Sequence, residues 1–228
     1  MRPGALEASL VASTIAAVPS ESAIWLTFDD GPSPGSTEPI LDVLENRCVR
    51  ATFFVCGVMA ERYPQIVARA SASGHEIANH AWSHVPLTPV EDRELDLEIT
   101  RTSDVIERVT GTRPRHFRPP YGRLDRRVVD RARAAGLETV LWNRLGYDWT
   151  GIGAEAIAEH ILTGLRPGEI LVLHDGCGDR CWGGPLPPLS VDRGATLEAL
   201  PRILDGILER RLDVLSPDQI GPVPRVGR

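Results

Sequence analysis

Seven short apolar runs rich in β-branched and aromatic residues punctuate this chain, and a stretch of helical period separates each from the next. The runs are "AIWLTF" (23–28), "ATFFV" (51–55), "HEIAN" (75–79), "HFRPP" (116–120), "ETVLWN" (138–143), "EILVLHD" (169–175) and "DVLSP" (213–217). Between them, residues 37–47, 60–74, about 90–109, 125–136, 153–165 and 196–211 repeat their apolar residues at helical spacing, with Gly74 and Gly111 as stops. Strands separated by helices imply a parallel sheet with crossover connections. About seven such units in one unbroken run predict an α/β fold, a distorted (β/α) barrel forming a single domain. Its bounds are read as 23–217, with an N-terminal lead-in at 1–22 and a C-terminal tail at 218–228.

Composition removes several classes of function. The net charge of −6 and the lack of a Lys/Arg cluster beside aromatic residues argue against a nucleic-acid partner. No window of eighteen apolar residues predicts a transmembrane helix. Leu10 to Val18 is only mildly apolar, which makes a weak secretory signal; a cytoplasmic location is favoured and export stays open. Cys48 and Cys56 lie at or inside a strand-like run and are read as buried thiols, whereas Cys177 and Cys181 form a CxxxC pair that is either free or one optional disulfide.

In a β/α barrel the reactive groups gather at the carboxyl ends of the strands. Asp29-Asp30 end the first run, His80 and His84 follow the third, and Arg118 to Tyr121 end the fourth. Asp148-Trp149 follow the fifth, and His174-Asp175 end the sixth. Two histidines four apart plus one carboxylate make a catalytic metal set with an open position, zinc being the first candidate and cobalt, nickel or manganese alternatives. Asp30 is the natural carboxylate ligand beside His80 and His84. Asp29 then faces the water as general base, since a divalent ion lowers a water pKa from about 16 to about 7. Amide hydrolysis also needs an acid for the departing amine, and His174 is the candidate.

In this order and at these separations, "TFDDG", "NHAWSH", "RPPYG", "DW" and "VLHD" resemble the five motifs of the NodB-homology polysaccharide deacetylases, carbohydrate esterase family four. The resemblance covers about Ala23 to Pro217, and "VLHDGC" is similar to the chitooligosaccharide deacetylases. It implies a metal-dependent hydrolase that removes N-acetyl groups from an N-acetylglucosamine-containing glycan. Asp29 would be the base, His174 the acid, and Asp30, His80 and His84 the ligands. Arg118 would pair with Asp29, the Tyr121 N–H would hold the oxyanion, and Trp149 would wall the acetyl methyl. Pro120, Val172 and Asp148 would complete the substrate-binding surroundings.

One departure stands out. The family's D-x-x-D-W motif is read with its first Asp orienting the catalytic histidine, and here "LGYDW" puts Leu145 at that place. Asp148 and Asp175 are the candidates to replace it. Val172, where leucine is common in the family, is a milder change. Trp25, Trp82 and Trp142 are read as packing, Trp182 as either a sugar platform or a loop anchor, and His75, His116 and His160 as structural or surface residues. Two other functions remain open, hydrolysis of a different amide (peptidoglycan glycan or a small molecule) and sugar binding by a pseudoenzyme. The oligomeric state is not set by the sequence.

Overall fold

The computed structural model describes residues 14–177 and 192–220. Nine parallel strands form one curled sheet: β1 (Thr14–Ile15), β2 (Ala23–Asp29), β3 (Thr52–Val55), β4 (Glu76–Asn79), β5 (His116–Phe117), β6 (Glu138–Val140), β7 (Arg144–Leu145), β8 (Ile170–His174) and β9 (Asp213–Val214). Their spatial order is β1-β6-β5-β4-β3-β2-β8-β7, with β9 pairing the start of β2. The helices are α1 (Thr37–Asn46), α2 (Gly57–Arg62), α3 (Pro64–Ala72), α4 (Asp92–Thr110), α5 (Arg126–Ala134), α6 (Ala154–Leu162) and α7 (Gly194–Glu209). The predicted α/β barrel is therefore present as a curled half-barrel in which β1 and β7 end the ladder.

Alternation along the strands sorts side chains between two environments. From β2 and β8, Ile24, Leu26, Phe28, Leu171 and Leu173 pack outward against α1, α6 and α7. Trp25 and Ile170 turn inward to meet Phe54 of β3, Ala78 of β4 and Val140 of β6. Asp29 is two steps beyond Thr27 and four beyond Trp25, so the same alternation aims it into the barrel. His174 follows from Ile170 and Val172 in the same way.

Several boundaries differ from the sequence reading for identifiable reasons. The single helix expected over 60–74 is two, broken where Tyr63 (φ −127°) precedes Pro64, which disfavours helical geometry at the residue before it. The strand expected over 138–143 stops at Val140, and a second strand, β7, begins only at Arg144. Leu141 N–H donates to Ile15 O at 2.8 Å, while Asn143 N–H donates to Ile170 O at 3.3 Å, so the chain crosses the open side of the barrel at Trp142. Beyond the 23–217 bounds, Ile15, Val18 and Ile220 are buried in the inward cluster. Cys56 is a buried free thiol, but Cys48 is exposed. Cys177 is disulfide-bonded. Cys181 and Trp182 lie outside the described residues.

Candidate active site

The "DDG" turn ends β2, the central strand, which pairs with β3, β8 and β9. Asp30 leaves the strand with φ +80°, which swings its carboxylate away from that of Asp29. Gly31 is required beneath it, because a Cβ there would collide with the carboxylate of Asp175. Asp175 accepts from Thr37 Oγ1 (2.6 Å) and from Gly31 N–H (3.2 Å), so it fastens the turn and not His174. Burial pushes its pKa up to about 7, with Asp30 and Asp29 adding repulsion against the Thr37 hydrogen bond.

Asp29 is fixed from across the barrel interior, by the residue that follows β5, three strands away in the sheet. Arg118 Nη1 donates to Asp29 Oδ1 at 2.6 Å and to Thr27 Oγ1 at 2.8 Å, and Nη2 donates to Leu141 O at 3.2 Å. The guanidinium is fully buried and lies over Phe54, its Cζ 4.0 Å from the ring centroid. Burial pulls its pKa down from the ordinary arginine value and Asp29 opposes this. A buried cation with one close carboxylate holds that carboxylate in place more firmly than any exposed pair would.

Asp30, His80 and His84 converge as expected, their ligand atoms all within 4.8 Å of one another and all three residues buried. Asp30 Oδ1 is 3.2 Å from His80 Nε2 and 2.9 Å from His84 Nε2. Even so, Asp30 Oδ1 has no partner in hydrogen-bond geometry, and neither does His84 Nδ1. His80 Nδ1 lies 2.7 Å from Arg118 O, which can only accept, so Nδ1 carries a proton, and Nε2 is the nitrogen that faces Asp30. Burial disfavours the Asp30 carboxylate, but the charge of His84 and the approach of His80 outweigh it and hold its pKa well below the usual range. One carboxylate oxygen and two imidazole nitrogens facing a common point, with the oxygen unsatisfied, fit a divalent cation such as zinc.

The loop carrying the histidines is anchored by residues that the sequence reading passed over. Ala81 (φ 62°) and His84 (φ 55°) are left-handed. Glu98 of α4, itself buried, accepts from Trp82 N–H and Ser83 N–H, both at 2.9 Å, and from Ser83 Oγ at 2.7 Å. Asn79 donates to Ile99 O and Ser103 Oγ and accepts from Ala81 N–H. A glutamate on the buried stripe of an amphipathic helix, beside Leu95 and Ile99, was the available signal for Glu98.

His174 stands in register with Asp29 on adjacent strands. Its Nδ1 is 2.8 Å from Asp148 Oδ1, and its N–H donates to Asp148 Oδ2 at 2.8 Å. Thr196 Oγ1 also donates to Asp148 Oδ2. Of the two carboxylates named as replacements for an aspartate at 145, Asp148 is the one that meets the histidine. Leu145 lies in β7 opposite Val172, which is buried two residues before His174. Burial alone would lower the His174 pKa; the charge and hydrogen bond of Asp148, helped by Asp30 and Asp29, raise it to about 9. Trp149 sits edge-on to His174 with centroids 5.1 Å apart. On the other side Tyr121, left-handed at φ 61°, lays its ring 4.7 Å from His84, following buried Pro120. His75 and His116 are buried away from this cluster and His160 is exposed.

A curled parallel half-barrel with an Asp-His-His cluster and an opposed Asp/His pair at its carboxyl end defines a hydrolase-like site. The polysaccharide deacetylase family model matches residues 16–140, and the chain belongs to that family. It is 36% identical over 203 residues to a chitooligosaccharide deacetylase of Sinorhizobium fredii, covering 86% of this chain and 90% of that one. It is 33% identical over 197 residues to a peptidoglycan-N-acetylglucosamine deacetylase of Bacillus cereus, covering 84% and 72%. Among solved structures, the Bc1960 peptidoglycan N-acetylglucosamine deacetylase superposes with a TM-score of 0.83 at 27% identity, covering 96% of this chain and 97% of that chain.

Proposed function

We propose that the protein removes N-acetyl groups from N-acetylglucosamine-containing oligosaccharides of the chitooligosaccharide kind, and that one divalent metal ion, zinc first among the candidates, is needed for this. The observation that carries the reading is the opposed pair: Asp29 clamped by Arg118 and His174 clamped by Asp148, beside Asp30, His80 and His84. A dication held by those three residues would polarise the acetamide carbonyl and make a nearby water more acidic.

Asp29, kept oriented by Arg118, takes the proton as water adds to the carbonyl carbon. The backbone N–H of Tyr121 meets the negative charge that develops on the carbonyl oxygen. Asp148 occupies Nδ1 of His174, so the proton given to the departing nitrogen comes from Nε2. The C–N bond breaks, and acetate and a free amino sugar result. Trp149 provides an apolar wall for the acetyl methyl, and Pro120 and Val172 belong to the surrounding substrate-binding residues.

The rhizobial relative supports a soluble chitooligosaccharide as substrate. The Bacillus cereus relative and the solved peptidoglycan deacetylase support a second reading, the glycan strand of peptidoglycan. Acetate release from N-acetylated chitooligosaccharides and from cell-wall glycan, by protein stripped of metal and then resupplied with zinc or cobalt, tests both. Metal-restored release from the first alone supports the leading reading. Release from cell-wall glycan alone selects the second, and release from neither overturns both.

A further inference from the structure

Among the described residues, the exposed aromatic side chains are Tyr121 and Tyr147, at 45% and 43%, and both stand at the mouth of the site. The Tyr121 ring covers the ligand His84, which accounts for its position. Tyr147 touches no residue assigned to the reaction except through Trp149, yet its backbone is left-handed at φ 55°. That conformation is costly for a residue with a Cβ and persists where surrounding structure imposes it. Here the imposition is plain. Gly146 is wedged so tightly that a Cβ would come within 2.5 Å of Leu173, its N–H is tied to Val172 O, and Asp148 on the other side is buried against His174. Thr150 Oγ1 closes the turn on Tyr147 O at 2.6 Å. Between two buried residues, Tyr147 alone is thrust outward.

The ring it presents continues a file of rings leading away from the reacting centre. His174 to Trp149 is 5.1 Å between centroids, Trp149 to Tyr147 is 5.5 Å, and Tyr147 to His160 on α6 is 5.1 Å. Pyranose rings carry apolar C–H faces that lie well on an aromatic face, while their hydroxyls stay in water at the ring's edge. We propose that Tyr147 is the platform for the sugar next to the one that loses its acetyl group, which makes chain length, and not the single acetylated sugar, what the mouth recognises. This rests on the glycan deacetylase reading.

The test is steady-state kinetics on chitooligosaccharides of increasing length for wild type, Tyr147→Ala and Tyr147→Phe, with metal content measured in each. In Tyr147→Ala, KM for the longer chains should rise about fivefold to tenfold, the worth of one aromatic contact. Its kcat should hold, and the shortest chain the wild type turns over should be unaffected. Tyr147→Phe, which keeps the ring, should behave as wild type. An equal loss at every length, a loss confined to kcat, or no change at any length would overturn the platform while leaving the deacetylase reading standing. A metal-loaded wild type inactive on chitooligosaccharides of every length would overturn the chitooligosaccharide reading and the platform with it.

Discussion

The two ends of the barrel interior both hold buried polar groups, and they are finished differently. At the amino-terminal end, Trp25 Nε1 donates to Thr52 Oγ1 (2.8 Å), Thr52 Oγ1 donates to Glu76 Oε2 (2.9 Å), and Glu76 Oε1 lies 2.7 Å from His116 Nδ1. The chain of contacts closes on itself, and the Trp25 and His116 rings pack edge to face. At the carboxyl end, Asp30 Oδ1, His84 Nδ1 and Arg118 Nε are buried without hydrogen-bond partners. Asp30, Ala81, His84, Tyr121 and Tyr147 are all left-handed there. Unsatisfied buried polar atoms and strained backbone each work against stability. Among the described residues, three of the four such atoms and five of the seven such non-glycine residues lie at that end, as expected where a ligand and a reaction are to be served.

The largest effect should come from the carboxyl end. Asp29→Asn should lower acetate release by two to four orders of magnitude, roughly the range for loss of a general base, while bound metal measured by atomic emission stays at the wild-type level. His80→Ala should lose the metal as well. Retention of near-normal turnover by Asp29→Asn would break the division of roles between the two adjacent aspartates.

Next in size is Asp148→Asn. The carboxylate raises the His174 pKa to about 9 against the effect of burial, so its loss lowers that pKa. With the protonated imidazole as the proposed acid, the alkaline limb of kcat/KM should move to lower pH, and total activity should fall. A pH–rate profile with an unmoved alkaline limb would assign that limb to another group.

Glu98→Ala should weaken metal binding by about 10- to 100-fold, as measured by competition with a chelating dye, since Glu98 fixes the backbone between the two histidines. Glu98→Gln, which retains one acceptor oxygen, should recover part of that loss. Unaltered metal affinity in Glu98→Ala would show that α4 supports the loop without setting ligand geometry.

The smallest effect on function belongs to the amino-terminal end. Thr52→Val leaves Trp25 Nε1 and Glu76 Oε2 short of a partner and should cost about 1–3 kcal/mol in denaturant unfolding. Turnover and metal affinity should be unchanged. A fall in kcat there would erase the contrast between the two ends.

Much of the site was legible because it is local. Asp29-Asp30-Gly31 and the His80/His84 spacing are each within a few residues, and both sit at ends of runs whose period is visible in the sequence. The partner of His174 was not legible in the same way. Leu145, Asp148 and Asp175 are all near it in the chain or in its motif, and only the turn at Tyr147 decides that Asp148 faces the imidazole while Asp175 turns down to Thr37. Glu98 escaped notice because its contacts bridge fifteen and sixteen residues of chain, from α4 back to the loop.

By itself the sequence determined the alternation of strands and helices, the strand ends where the polar residues gather and the spacing of Asp30, His80 and His84, since side-chain period and motif spacing are local properties. Tertiary structure decided the rest. The two-residue strand at Thr14–Ile15 exists only because β6 offers a ladder and the barrel floor offers burial. The break at Trp142 and the clamp on His174 likewise depend on side chains brought together from distant segments. No propensity of a short stretch encodes such contacts, because their free energy comes from the neighbours that folding supplies.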